Sequence, residues 1–390
     1  MKLSEIGELS LLKTIRRRFT VKSKDVIVGI GDDTAVIKPS GNNLLATTDM
    51  MVEGIHFDLN LITPYQLGFK LVSVNVSDIY AMGGRPQYLL LDIALNKNTE
   101  QSFVNRLFDG IRCAMELYGV SLIGGDISSS RKDMVIAATL IGNAKKHIRR
   151  SGAKPGDRIY VTGNLGDSAC GLALLKRIRK HVHIEKTGEK MQDARCNPPL
   201  SPLSKGGIKG GYHESCIMNR ASELLTLTSK LSTMGLTWNV VNPLLKRHLM
   251  PEARNPKNFT RYATSMIDLS DGLFIDLSRL CDESRVGAKI FMERIPVSSR
   301  MRTASSLLGL DAMKLACSGG EDYELLFTAP PTSPIPSSVA SRTDLLRRGL
   351  GEVKITYIGD IVKSDRKIID KNGREKKFSP SGYQHFEIQR

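Results

Sequence analysis

Residues 47–57 read TTDMMVEGIHF, placing two hydroxyls, two carboxylates and a histidine within ten positions, directly after an apolar run. The same ending recurs along the chain. VIVGIGDD (26–33), NLLATTD (43–49), LVSVNVSD (71–78), VSLIGGD (120–126) and SMIDLSD (265–271) are apolar runs that each finish in aspartate, often beside Ser, Thr or Gly. One such aspartate alone reads as a turn former or helix cap. Recurrence points instead to strand-end carboxylates gathered where folds collect binding groups. Carboxylates gathered in this way stay ionised together only with cations among them. Hard oxygen donors without His or Cys point to Mg²⁺, completed by water and substrate phosphates.

At 390 residues the chain has room for two domains and a sizeable core. No basic flank with a following apolar stretch opens it and no run is long enough to span a bilayer, so a cytoplasmic protein with no membrane partner is expected. Cysteines 113, 170, 196, 216, 281 and 317 form no CxxC pair and no Cys/His cluster, which speaks against a zinc site or a disulfide framework. The net charge of +16 raises the question of nucleic acid, but its distribution answers it. Residues 1–140 balance fifteen Lys and Arg against fifteen Asp and Glu, so the excess lies entirely in the second part. Much of it falls in KRIRKHVHIEK (176–186) and in the Pro/Gly/Ser/Lys segment CNPPLSPLSKGGIKGGYHES (196–215). Tyr212 is the one Phe, Trp or Tyr in these two stretches, which is not the aromatic interleaving of nucleic-acid grooves, so a disordered insert at about 186–216 is expected, with no specific nucleic-acid partner.

A helix is expected near the start (ELSLLKTIRRRF), followed by alternating strands and helices to about residue 143. The Pro-Gly turn, short strand, Gly-rich turn and helix of SGAKPGDRIYVTGNLGDSACGLALL predict a second domain opening near residue 150. Beyond the insert, NPLLKRHLMPEAR (242–254) predicts a helix, ATSMIDLSDGLFIDLSRLCDES (263–284) a strand running into an amphipathic helix, and LACSGGEDYELLFTAP (315–330) a Gly turn before a strand. The expected class is mixed α/β in two domains, 1–149 and 150–390. GIGDDTAV lacks the GxGxxG spacing and no GxxxxGK[ST] occurs, so bound phosphates must be met by metals and by backbone N–H groups of turns such as GGD (124–126).

Seven blocks in order, GIGDDTAVI, TTDMMVEGIHF, VNVSDIYAMGGRP, YGVSLIGGD, RSGAKPGDRIYVTG, IDLSDGL and SGGEDYELLFT, resemble the thiamine-monophosphate kinases of the aminoimidazole-ribonucleotide-synthetase-like superfamily. The resemblance covers nearly the whole chain apart from about residues 176–240. It implies an N-terminal α/β domain that pairs in a homodimer, a C-terminal α/β domain, and ATP-dependent phosphorylation of thiamine monophosphate to thiamine diphosphate. By the same resemblance Asp33, Thr47, Thr48, Asp49, Asp78, Asp126, Asp268 and Asp271 would hold several Mg²⁺ ions, while Asp32 is left as a turn former. Tyr118, Gly125, Asp126, Arg150 and Ser270 occupy positions that contact ATP in the family. His56, Glu321 and Tyr383 fall where it contacts thiamine phosphate. Read alone, Tyr118 equally suits a core aromatic, Arg150 a surface charge, His56 a structural histidine and Tyr383 a tail anchor. Two departures stand out: Ile127 where a hydroxyl residue is common, and the insert.

The implied chemistry needs no acid, base or nucleophile from the protein. The attacking group is a phosphate oxygen already ionised at neutral pH, so catalysis reduces to alignment and charge neutralisation in a direct in-line transfer. Selenophosphate synthetase would require a reactive Cys or selenocysteine near the start, where the first cysteine here is Cys113. A hydrogenase-maturation relative would require a C-terminal Cys, where this chain ends HFEIQR. The ring-closing purine-pathway enzyme shares the aspartates and is the main enzymatic alternative. A basic RNA-binding protein is the non-enzymatic one.

Overall fold

The computed structural model describes residues 14–15, 17–19, 24–28, 36–37, 41–184, 227–340, 352–378 and 382. The expected insert at 186–216 lies outside them. Within them two sheets organise the chain. A short hairpin pairs β1 (Val26–Val28) with β2 (Val36–Ile37). Next come β3 (Asn43–Val52), α1 (Pro64–Ala81), β4 (Arg85–Asn96), α2 (Gln101–Tyr118), β5 (Ser121–Ser130) and β6 (Val135–Ala144). These four strands form a sheet in the order β3-β6-β4-β5, antiparallel except for the parallel β4–β5 pair.

The helix α1 settles where the site lies. Its start is fixed by a capping box: Thr63 accepts from the Gln66 N–H, the Gln66 side chain accepts from the Thr63 N–H, and Pro64 stands at the first turn. Nearly every residue from Gln66 to Ala81 is buried, so the helix is enclosed on all sides, with Gln66, Lys70, Ser73, Asn75 and Ser77 as polar residues inside. One face lies on the four-stranded sheet. Against α2 it packs backbone to backbone, since a Cβ added at Gly110 would stand 1.8 Å from the Tyr65 carbonyl oxygen and one at Gly68 2.1 Å from that of Leu107. The remaining face meets the second half of the chain.

That half comprises β7 (Arg158–Thr162), α3 (Asp167–Ile178), α4 (Trp238–Leu249), β8 (Ser265–Leu269), α5 (Leu273–Ser284), β9 (Gly287–Phe291), α6 (Ser299–Leu307), α7 (Ala312–Ser318), β10 (Glu324–Ala329), β11 (Ser338–Ala340), β12 (Glu352–Val362), β13 (Arg366–Ile369) and β14 (Glu375–Lys377). Its eight-stranded sheet runs β14-β13-β9-β12-β7-β10-β8, with β11 on β12, and only β13–β9 is parallel. β8 and β10 are buried at every position, which is why neither shows strict apolar–polar alternation, and their buried polar residues include Asp268 and Glu324. Ala81 of α1 and Ile148 join Phe259, Met266, Leu325 and Phe327 in one apolar cluster, so the two halves share core. The helix expected at 242–254 begins earlier, at Trp238, and ends at Leu249. Pro251 accounts for the early end, because the residue before a proline is pushed out of helical geometry, and Met250 sits at φ −139°.

Candidate active site

Alternation along β3 sorts the TTD residues. Thr47, Asp49 and Met51 share the more protected face, whereas Leu44, Thr48 and Met50 point to the open one. Thr47 Oγ1 donates to Asp78 Oδ2 at 2.5 Å, which ties the strand to the last turn of α1. From the next residue on α1, Ser77 Oγ donates to Asp268 Oδ2 of β8 at 2.9 Å. Three elements from both halves of the chain therefore bring Asp49, Asp78 and Asp268 into one electrostatic neighbourhood.

Their charges do not sit there easily. Burial, with Asp78 and Asp271 beside it, pushes the Asp49 carboxyl up to about 7. Burial likewise raises Asp78, against the Thr47 hydroxyl and the Arg150 charge. Asp268 is raised well above the ordinary carboxylate range, first by burial and then by Asp78 and Asp276. A cluster poised in this way is stabilised by a cation, and its all-oxygen donor set suits a hard one such as Mg²⁺. Among the described residues no three His, Cys, Asp or Glu side chains converge closely enough to hold an ion by themselves. An ion here would draw its remaining ligands from water or substrate oxygens.

The turn after β8 supplies the rest of the acidic wall. Asp276 accepts from the N–H groups of Asp271 and Gly272 at 3.1 Å each, capping α5, and Arg279 pairs with both Asp271 and Asp276. Over this turn folds the segment 319–323. The Glu321 N–H donates to the Ser270 carbonyl at 2.7 Å and the Tyr323 N–H to that of Leu269 at 2.9 Å. Glu321 then reaches Lys70 Nζ of α1 at 2.7 Å and His248 Nδ1 of α4 at 3.2 Å.

Residues 31–144 match the family described as AIR synthase related protein, N-terminal domain. A thiamine-monophosphate kinase of Aquifex aeolicus (strain VF5) is 32% identical over 388 residues, covering 99% of this chain and 100% of the relative. The chain belongs to the thiamine-monophosphate kinase family. Two solved structures extend the likeness to three dimensions. AaThiL complexed with AMPPCP and TMP is 31% identical, covers 99% of each chain and superposes with a TM-score of 0.64. The thiamine-monophosphate kinase of Stenotrophomonas maltophilia K279a is 26% identical, covers 95% of this chain and 98% of that one, and superposes at 0.67.

Of the residues that the family resemblance marks, the structure brings together Thr47, Asp49, Asp78, Asp268 and Asp271, with the Arg150 charge acting on Asp78 and Ser270 under Glu321. His56, whose Nδ1 accepts from the Val52 N–H at 3.0 Å, acts electrostatically on Glu321. Four others stand apart, among them Gly125, which lies beside Asp126 on the edge strand β5. Thr48 is on the open face, hydrogen-bonded by Thr139 at 3.2 Å. Asp126 lies at the opposite edge of the sheet and on the opposite face from Asp49, because Asp126, Asp92, Ala137 and Met50 form one cross-strand row while Gly125, Leu91, Ala138 and Asp49 form the next. Three strand spacings separate those edges, about 14 Å, so Thr48 and Asp126 do not join the Asp49 cluster within one chain. Tyr118 is buried, its hydroxyl 3.1 Å from Ser73 Oγ and accepting from the Ala253 N–H at 2.9 Å, so within one chain it sits in the core. Asp33 and Tyr383 lie outside the described residues. Nor are the aspartates strand-end groups: Asp49 and Asp126 sit inside β3 and β5, and Asp78 is on a helix.

Lys70, His248, Asp276 and Arg279, and Tyr323 inside the SGGEDYELLFT block, are not among the residues that the resemblance marks, yet they surround the site. His248 is buried neutral: burial and the Lys70 ammonium lower it to about 3 from 6.5. Its sign follows from linkage. Between those values the unfolded chain binds the extra proton, so stability falls as pH drops below 6.5. Going from about pH 7 to about pH 5, the wild type should lose about 2 kcal/mol more stability than His248→Gln, read by urea unfolding. Equal losses would remove His248 as the acid-sensitive group.

Proposed function

We propose that this chain transfers the γ-phosphoryl group of ATP directly to the phosphate of thiamine monophosphate, yielding thiamine diphosphate and ADP. The observation that carries the reading is the Asp49, Asp78 and Asp268 cluster at the seam of the two sheets, in a chain that matches thiamine-monophosphate kinases end to end. AaThiL, the relative complexed with AMPPCP and TMP, supports the same pair of substrates. Asp49, Asp78, Asp268, Asp271 and Thr47, with Asp33, are the residues that would hold Mg²⁺. When bound, Mg²⁺ supplies the positive charge that lets two phosphate groups approach and that offsets charge on the leaving ADP.

The protein's own groups do the positioning. Ser77 and Thr47 fix the carboxylate rotamers of Asp268 and Asp78 from neighbouring elements, so the oxygens are set before substrate arrives. Arg150 offers a planar fork to phosphate oxygens next to Asp78. Glu321 places negative charge where the cationic thiazolium would lie. No group acts as base, since the acceptor oxygen is ionised already.

The unit boundary falls at about residue 150, giving a domain at 1–149 and another at 150–390. The functional species would be a homodimer in the cytoplasm. Leu44 and Met50 stand 72% and 59% exposed on the open face of the four-stranded sheet, a surface suited to a second copy. Thr48 and Asp126 lie on that face and would line the seam. None of the described helices is long and apolar enough to cross a membrane.

The test is an incubation of purified protein with ATP, Mg²⁺ and thiamine monophosphate, with products separated by chromatography. Thiamine diphosphate and ADP should appear one to one. ADP release without thiamine diphosphate would refute the assignment.

A further inference from the structure

Lys70 is 1% exposed, among the largest fully buried side chains, on a helix whose neighbouring positions Leu67, Leu71 and Val74 are apolar. Burying an ammonium costs several kcal/mol unless a partner compensates it, and packing alone would be served as well by an apolar residue. The partner is Glu321 Oε1 at 2.7 Å. Glu321 is itself unusual, holding φ at +63° although it is not glycine, with Tyr323 at +48° two residues on. Left-handed conformations of this kind are strained for a residue that carries a side chain and persist where the surroundings over-determine them. Here the Ser270 and Leu269 carbonyls fix the backbone and Lys70 fixes the side chain.

Helix geometry adds a ruler. Lys70 and Ser77 are seven residues apart and so share one face of α1, and both reach the second half of the chain, Lys70 at Glu321 and Ser77 at Asp268. The rise of 1.5 Å per residue sets about 10 Å between the acidic cluster and the Glu321 carboxylate's anchor. One rigid helix thus spaces the phosphoryl-transfer end of the site from the end assigned to the thiazolium.

We infer that Lys70 is a positioning residue for substrate recognition: its buried ammonium keeps Glu321 ionised and aimed at the cationic ring of the acceptor. The inference rests on the thiamine-phosphate reading given above. The groups facing Glu321 are Lys70 from α1, His248 from α4, His56 from the turn after β3, and Tyr323 on its own segment. Burial alone would push the Glu321 carboxyl up, but the positive charge around it, Lys70 first, outweighs burial and holds the group below its ordinary value. His248 is neutral at working pH, which leaves Lys70 as the largest stabilising charge. The Glu321 side chain is 30% exposed, so the carboxylate that Lys70 holds from the inside still presents a face outward.

The sign is then fixed. Without Lys70 the carboxyl rises toward the assay range, and protonation at low pH removes the charge that the ring would meet. The experiment measures KM for thiamine monophosphate and for ATP, with kcat, from about pH 5.5 to about pH 8.5 in the full-length wild type, Lys70→Met, Lys70→Gln, Lys70→Arg and Glu321→Gln, alongside their melting temperatures. Wild type and Lys70→Arg should show a thiamine-monophosphate KM that varies little with pH. In Lys70→Met and Lys70→Gln it should rise about threefold to fivefold at high pH and climb further as pH falls, with the ATP KM within about twofold of wild type. A pH-independent, wild-type KM in a folded neutral variant overturns the proposal. So does the same rise in Lys70→Arg, which would indict shape rather than charge. Failure of both neutral variants to fold while Lys70→Arg folds would make the pair a stability element and also overturn it. The outcomes separate from the functional reading. A wild type without turnover sinks that reading. An active wild type with a normal Glu321→Gln sinks the role of Glu321, and an impaired Glu321→Gln beside a normal Lys70→Met sinks Lys70 alone.

Discussion

Asp49→Asn and Asp78→Asn should each lower kcat by at least about a hundredfold while leaving the protein folded. Both side chains are half-buried and both carboxyls are raised by burial, so the charged form is the strained one in the free protein. Replacing either with a neutral isostere relieves repulsion, and the melting temperature in the absence of divalent ions should hold or rise. What disappears is the negative charge needed to retain a cation against two phosphates. The two variants differ in one respect. Asp78→Asn keeps an amide oxygen to accept from Thr47 Oγ1, so the strand-to-helix tie survives and the loss is one of charge alone. Kinetics at saturating Mg²⁺ with circular dichroism as the fold control supply the check. Turnover near wild type in either variant would take that residue off the ligand set.

Glu321→Gln should raise the KM for thiamine monophosphate at least about tenfold and leave the ATP KM within about twofold, if the carboxylate meets only the cationic substrate as proposed. The substitution also leaves the Lys70 ammonium buried beside an amide, so some loss of melting temperature accompanies it. The split between the two substrates is therefore the informative reading. Equal losses for both, in step with the melting temperature, would assign Glu321 to holding the 319–323 turn over Ser270.

The acidic character of the site was legible because aspartates at the ends of apolar runs are rare enough to be noticed when they recur. Their placement was less so. LVSVNVSD is rich in β-branched residues and apolar without a period, which reads as strand, but burial on all sides removes the periodicity from a helix as well. The overlooked signal lay upstream in Thr63, Pro64 and Gln66, a capping box with a proline at the first turn. Thr48 was separable from Thr47 and Asp49 by alternation alone, since β3 runs unbroken through TTDMMV. Asp126 was not, because its row relative to Asp49 depends on the registers of β3, β6, β4 and β5 together. Lys70 and His248 sit in segments without motifs and meet Glu321 only through tertiary packing, so nothing local marks them. For Tyr118, burial and the bonds to Ser73 and Ala253 appear only when both halves are assembled.

The central claim is a direct transfer between phosphates with no covalent intermediate on the protein, and the stereochemistry at phosphorus tests it most directly. ATP made chiral at the γ-phosphorus with oxygen isotopes would be turned over with thiamine monophosphate, and the configuration of the new terminal phosphoryl group in thiamine diphosphate determined. A single in-line displacement predicts inversion. Retention, which needs two displacements and a phosphorylated residue that the aspartate cluster does not call for, would contradict the account.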